Sequence, residues 1–322
     1  MSDKKYKTEW SFSFDDIGKK INDTINSIVN DESVEVQEAH FEAELDGAQS
    51  AKIQVDLGLS LLNIAALDAD STQLATVDMT YVGDVQFDVN GEAEKTVSLT
   101  QKHPKRDVVG SLKRAVKSMS MREDIKAELR LSPAVPLSLD IDAGVAPSTV
   151  DLTGLTVTSI DLDCGVGTMN LTLPHSDTDY RASIDSGVGS TDIAVPDGTP
   201  LHLDINAGVG SLNLYLPDNV AARLTINGGL GGVSIPDYFD KVQSGDEFLT
   251  KSGVWETAGF AVAEKQVFVD FAGGVGNFKV RVGEKPAEKV KAKRKSKGKV
   301  KVNINVDADA DNISEAPTET ED

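Results

Sequence analysis

The stretch IDLDCGVGTMNLTLP, residues 160–174, sets a Gly-Val-Gly between two segments in which every second residue is apolar. A glycine loop of this kind either cradles a phosphate or turns a corner in a sheet. A phosphate loop converges its backbone N–H groups on the anion at a helix N-terminus and carries Lys and Ser or Thr after the glycines. Here the period-two alternation resumes beyond the glycines, as in a strand, and neither Gly-Lys-Ser nor Gly-Lys-Thr occurs in the chain. The corner is the better reading, because glycine accepts a positive φ and the close approach of another backbone.

The motif recurs. Copies centre on Gly144, Gly165, Gly187, Gly208, Gly229 and Gly274; the first five lie 21, 22, 21 and 21 residues apart and the sixth follows after 45. Apolar residues stand three and five places before the glycine, as in Leu162 and Ile160 or Ile205 and Leu203. Others stand four, six and eight places after it, as in Met169, Leu171 and Leu173 or Phe278, Val280 and Val282. Each unit therefore reads as strand, glycine corner, strand and loop, with one buried face. Pro174, Pro196, Pro217 and Pro236 close units where a strand must stop. A fainter copy surrounds Gly58, so the β-pattern begins near residue 40. Segments 78–89 and 124–131 also alternate, and 108–119 reads as a loop in preference to a short helix. Units of about 21 residues that bury their apolar face only by stacking define a solenoid. The expected fold is all-β, a solenoid-like stack of short strands with Gly-Val-Gly corners.

Three segments break the pattern. Residues 237–266 gather Tyr238, Phe248, Trp255 and Phe260 from a chain that is only 5% aromatic. They read as a cap over the open end of the coils or as a partner-binding patch. Near the N-terminus Phe14, Ile17, Ile21, Ile25 and Ile28 recur every three or four residues, with Lys19, Lys20 and Asp23 between them. This amphipathic helix has three destinations: the solenoid, another chain or a membrane surface. After Arg281 a basic run, 285–301, carries nine Lys and Arg, and seven acidic residues follow from Asp307 to Asp322. Blocks of like charge read as a disordered tail, with contact to anionic lipid or nucleic acid as the alternative. Val300, Val302, Ile304 and Val306 hint at one strand within it. The resulting division is 1–33 helix and linker, 34–131 first β-portion, 132–283 β-repeat with the insert at 237–266, and 284–322 tail.

No enzyme motif emerges. The chain lacks Gly-x-Ser-x-Gly, His-Glu-x-x-His and Cys-x-x-Cys, and its four histidines, His40, His103, His175 and His202, stand at no ligand-like spacing. The polar residue two before each corner (Asp142, Asp163, Asp185, Asn206, Asn227) suggests a calcium ladder, but one oxygen-bearing side chain per corner suits turn capping better. A carboxylate pair of the glycosidase kind stays open, since sequence cannot place two acids across a cleft. No catalytic residue, cofactor or metal is expected. A net charge of −20 disfavours nucleic acid and anionic lipid as partners of the body. Cys164 alone permits no intrachain disulfide, and no leader or membrane-spanning run is evident, so a cytoplasmic location, peripheral to the inner membrane in one version, is the expectation.

The runs PLSLDIDAGVAPSTVDLTGLTVTSIDLDCGVGTMNLTLP, YRASIDSGVGSTDIAVP and LTINGGLGGVSIP resemble the toast-rack β-domain of bacterial LiaF-like, cell-wall-active antibiotic response proteins. KIQVDLGLSLLNI and VDMTYVGDVQFDV resemble the N-terminal portion of the same domain, so the likeness covers roughly residues 40–282. It implies a one-sided rack of stacked β-hairpins, no catalytic residues and a role in modulating envelope-stress signalling. This chain departs from that family in having no transmembrane helix ahead of the β-domain. The expected function is a non-enzymatic bacterial scaffold that binds a protein partner. A self-assembling structural protein, joined edge to edge as a homo-oligomer, is the second expectation. An adhesin-like or carbohydrate-binding protein is the third, and it would require secretion.

Overall fold

The computed structural model describes residues 36–58, 60–102, 125–145, 147–245, 252–283 and 285. The expected N-terminal helix, the 108–119 loop, Phe248 and the strand at Val300–Val306 lie outside the described residues. In chain order the strands are β1 (Gln37–Glu44), β2 (Ser50–Leu57), β3 (Leu61–Ala66), β4 (Gln73–Tyr81), β5 (Asp84–Asn90) and β6 (Glu94–Lys102). Then come β7 (Lys126–Leu131), β8 (Leu137–Val145), β9 (Ser148–Asp151), β10 (Val157–Thr172), β11 (Tyr180–Ala194) and β12 (Leu201–Leu216). The last are β13 (Ala222–Asn227), β14 (Leu230–Ser234), β15 (Phe239–Ser244), β16 (Gly253–Thr257), β17 (Val267–Ala272) and β18 (Val275–Val282). A single turn of 3-10 helix, Phe260–Val262, precedes β17.

The glycine corners do not interrupt pairing. In β10, β11 and β12 the strand runs through the corner, pairing on both sides of it in one register, Ile160 with Ala182 and Ala182 with Leu203 before the bend, Met169 with Thr191 and Thr191 with Leu212 after it. The pre-corner halves build one sheet in the order β5-β6-β2-β8-β10-β11-β12-β17-β13-β16-β15. The post-corner halves build another, β1-β4-β7-β3-β9-β10-β11-β12-β18-β14. The two sheets share β10, β11 and β12 and spread from the corner line like the covers of a book.

Between the covers lies the core. Alternation puts Ile160 and Leu162 of the first sheet, and Met169, Leu171 and Leu173 of the second, into one cluster that extends from Ala43 to Val280. The same row holds in the faint copy, where Ile53, Val55, Leu62 and Ile64 are buried. One position departs from the expected row: Val282 lies 40% exposed, because β18 ends there with Arg281 reaching out to Asn213.

Rung order departs from chain order at one end. The repeat of Gly274 does not follow that of Gly229 but slots between it and that of Gly208, since β17 pairs in parallel with both β12 and β13. Residues 237–266 make this return possible. They pass outside β13 as β15 and β16, both antiparallel, and close the end of the stack.

Candidate functional site

Along the corner line the fold presents three parallel columns. The middle one is apolar and outward: Val145, Val166, Val188, Val209, Val275 and Leu230 stand in register on successive rungs. Val166, Val188, Val209, Val275 and Leu230 are 45, 50, 51, 52 and 59% exposed. Neighbouring rungs in a sheet are about 4.8 Å apart, so the six side chains form a straight ridge of roughly 24 Å.

Glycines keep this ridge clear on both sides. A Cβ at Gly165, Gly187, Gly208 or Gly274 would run into the carbonyl oxygen of the corner glycine on the preceding rung. At the second glycine of four corners, Gly189, Gly210, Gly231 and Gly276, the same collision is joined by a backbone only glycine adopts readily, with φ of +147° at Gly189 and +148° at Gly210. Corner amides are used in stacking: Val145 N–H donates to Gly58 O at 3.0 Å, and Leu230 N–H to Gly274 O at 2.8 Å. Bonded in this way, they do not form a cradle for phosphate.

One bank of the ridge is acidic. Asp56, Asp142, Asp163, Asp185 and Asn206 share a register column. Asn206 Nδ2 donates to Asp185 Oδ1 at 2.6 Å, and Asp163 is hydrogen-bonded to Asp185. Asp163, Asp185 and Asn206 are thus linked from rung to rung. Burial, with the charges of Asp185, Asp161 and Asp142 nearby, holds the Asp163 carboxyl above the usual range. The opposite bank carries Thr168, Ser190, Ser211 and Asn277, with Ser190 and Ser211 hydroxyls 3.1 Å apart.

Beneath the ridge lies a half-buried sulfur pair. Cys164 Sγ lies 3.2 Å from Met169 Sδ, and burial beside Asp163 and Asp142 pushes its thiol up to about 12. The next rung repeats the contact with hydroxyls, Ser186 to Thr191 at 2.7 Å. Tyr180, whose hydroxyl donates to Pro174 O at 3.0 Å, is also shifted upward by burial. Among the described residues no group of three or more His, Cys, Asp or Glu is placed to hold a metal. His40 bridges Asp78 and Glu42, His175 meets Asp197 O and Thr199, and His202 stacks on Phe268, three separate surface arrangements. No described helix is long and apolar enough to cross a membrane.

The aromatic insert packs as the cap that is one of its two readings. Trp255 and Phe260 are buried, 6% and 5% exposed, and Phe239 beside them is buried too. Among the described aromatic residues of the insert, Tyr238 faces solvent, at 41%. Trp255 pairs opposite Leu224 on the last full rung, so its ring covers the core edge and is spent on packing. The valine ridge, by contrast, was not among the expected functional residues. Its signal is nonetheless present: each corner holds an apolar residue belonging to neither buried row.

The family model for the N-terminal domain of toast_rack, DUF2154, matches residues 30–194. No curated protein matches the chain. Among solved structures, a candidate cell adhesion protein from Clostridium sporogenes is similar at a TM-score of 0.50 and 15% identity, over 77% of this chain and 100% of that one. A candidate adhesin from Bacteroides fragilis aligns over 76% of this chain and 97% of its own, at 11% identity and a TM-score of 0.26. The first of these likenesses is one of fold.

Proposed function

Because this chain belongs to the toast-rack N-terminal domain family, DUF2154, we propose that it is a non-enzymatic scaffold whose corner ridge binds a protein partner. The observation that carries this reading is the unbroken row of exposed Val and Leu on an otherwise acidic body. A contiguous exposed apolar strip with polar borders marks an interaction site. With carboxylates on one bank and hydroxyls on the other, the ridge suits a partner that offers an apolar row edged by Lys or Arg. Such a body serves the LiaF-like role in envelope-stress signalling, at the cytoplasmic side of the inner membrane, without any chemistry of its own. Adhesion, the description carried by the Clostridium sporogenes protein, would use the same kind of surface outside the cell.

Photo-crosslinking amino acids placed in living cells at 188 and 209, with position 202 on an outer strand face as control, test this reading. A discrete adduct at 188 and 209, absent at 202 and lost when Val166 and Val275 are changed to Ser, is expected. Equal adducts at all three positions, or none at the ridge, would overturn it.

A further inference from the structure

The two flanks of the ridge carry charge unequally. Asp56, Asp142, Asp163 and Asp185 occupy consecutive rungs on one side. Two residues further down the same outer face a second row follows, with Asp140, Asp161, Asp204 and Asp270 in register. The opposite bank, Thr168, Ser190, Ser211 and Asn277, is uncharged. A partner seated on the ridge therefore meets negative charge along one flank only.

On the charged side the first corner glycines leave an open groove of about 410 Å³, floored by Gly165, Gly187 and Gly208 and walled by Asp142, Asp163 and Asp185. A floor without side chains is mostly apolar and accepts a long, thin stem. Laid along it, the methylenes of Lys or Arg leave water while the charged head reaches the carboxylates.

Spacing selects the backbone that brings such side chains. The ridge repeats once per rung, about 4.8 Å. Apolar residues in a helical stripe recur every 3.5 residues on average, about 5.2 Å, so over the whole ridge a helix slips by only about 2 Å. Side chains on one face of an extended strand recur at about 6.7 Å and slip by about 2 Å at every step. A second copy of this chain would match the repeat, but its own spine brings another row of carboxylates and no cation to answer this one.

Taking the ridge as the partner surface proposed above, we propose that its occupant is one amphipathic helix of about 16 residues, lying along the spine, with Lys or Arg on a single flank of its apolar stripe. The stripe packs on Val166, Val188, Val209 and Val275, and the basic flank fills the glycine-floored groove against Asp142, Asp163 and Asp185. One charged flank also fixes the direction in which the helix runs, since reversing it would set the cations against the hydroxyl bank.

Fluorescence anisotropy with the full-length chain tests this. The probes are three labelled peptides of about 16 residues: one with Leu every three or four residues and Lys along one flank, one with the same residues in strict alternation, and the first with every Lys replaced by Gln. The basic helix should bind at least about tenfold more tightly than either of the others, and less tightly as salt is added. Asp163→Asn with Asp185→Asn should weaken its binding about tenfold, as should Val188→Ser with Val209→Ser. Asp68→Asn with Asp70→Asn, exposed in the turn after β3, should leave it unchanged. The proposal is overturned if the basic helix does not bind, if either other peptide binds as tightly, or if the Asp68 and Asp70 pair matters as much as Asp163 and Asp185. Ridge adducts in cells at 188 and 209 alongside any of these results would keep the ridge as a partner surface and remove the helix as its occupant. A dimer of the full-length chain in sedimentation velocity, lost when Val188 and Val209 are changed to Ser, would also overturn the proposal, in favour of a second copy.

Discussion

Gly274 rests directly on Gly208, so closely that a Cβ on Gly274 would collide with the Gly208 carbonyl oxygen, although the whole Gly229 repeat lies between them in sequence. Corner glycines are thus a property of the stack and not of each loop. Gly187→Ala should cost about 2–3 kcal/mol, the scale of overpacking against atoms that cannot yield, because the obstacle is the backbone of the neighbouring rung. Gly154, with φ +82° and open space around it, should cost only about 1 kcal/mol as Ala. Urea unfolding of the two variants measures the difference, and equal losses would mean that the corners do not depend on contact between rungs.

On the ridge the expectation reverses. Val188 and Val209 touch solvent and bury little, so Val188→Ser with Val209→Ser should shift stability by less than about 0.5 kcal/mol each, the range of ordinary surface changes. A loss of several kcal/mol on urea unfolding would show that these residues hold the corner together, and the ridge would lose its claim as a free surface.

The buried rows, the stacking and the corners are legible in the sequence because alternation and glycine spacing are local signals of local geometry. Ile160, Leu162, Met169 and Leu171 fall where period two puts them. The placement of the Gly274 rung was not legible, since a parallel ladder joins strands of any sequence separation and β17 accepts β12 and β13 equally. Trp255 and Phe260 left two readings open, cap or partner patch, for a related reason. An aromatic cluster signals a large apolar area to be covered, and only the structure tells whether the chain itself covers it. Val166 and its equivalents carry a sequence signal of their own, an apolar residue between two glycines that belongs to neither buried row.

The cap makes a clear stability prediction. Trp255→Ala removes a ring packed over Leu224 and leaves a cavity, at about 3–5 kcal/mol. Tyr238→Ser, at an exposed position, should cost less than about 1 kcal/mol. Thermal unfolding followed by circular dichroism compares them; a tolerant Trp255 would return the insert to the role of a partner surface.

The pH dependence follows from the ladder of carboxylates. Asp163 has its folded pKa raised, by burial first and then by Asp185 and Asp161, so the folded state holds this proton more tightly than the unfolded chain. Its favourable contribution is complete below the unfolded pKa of about 3.9 and is lost as pH rises through the higher folded value. Asp140 has the opposite sign: its bond to Lys52 lowers its pKa, and its contribution is lost as pH falls. Asn206 already relieves the ladder one rung beyond Asp185, by donating where a carboxylate would repel. Asp163→Asn should do the same on the other side. It is expected to raise stability at pH 7 by about 0.5 kcal/mol, the scale of a like-charge cross-strand pair, and to add nothing at pH 3. Urea midpoints at the two pH values check this, and a gain of equal size at both would assign the effect to packing instead of charge.

Cys164 supplies the last prediction. With its thiol pushed up to about 12 and its sulfur held against Met169, almost none of it is thiolate at pH 8, and the thiolate is the reactive form. Ellman's reagent at pH 8 should therefore label the folded protein at least a hundredfold more slowly than the protein in denaturing urea, where the ordinary thiol pKa returns. Asp163→Asn removes the nearer of the two charges that raise this pKa, but burial, the larger cause, is untouched. The variant should thus label about as slowly as the parent. Fast labelling of either folded form would mean that the corner opens on the timescale of the assay, and that the glycine column is a looser joint than its close contacts imply.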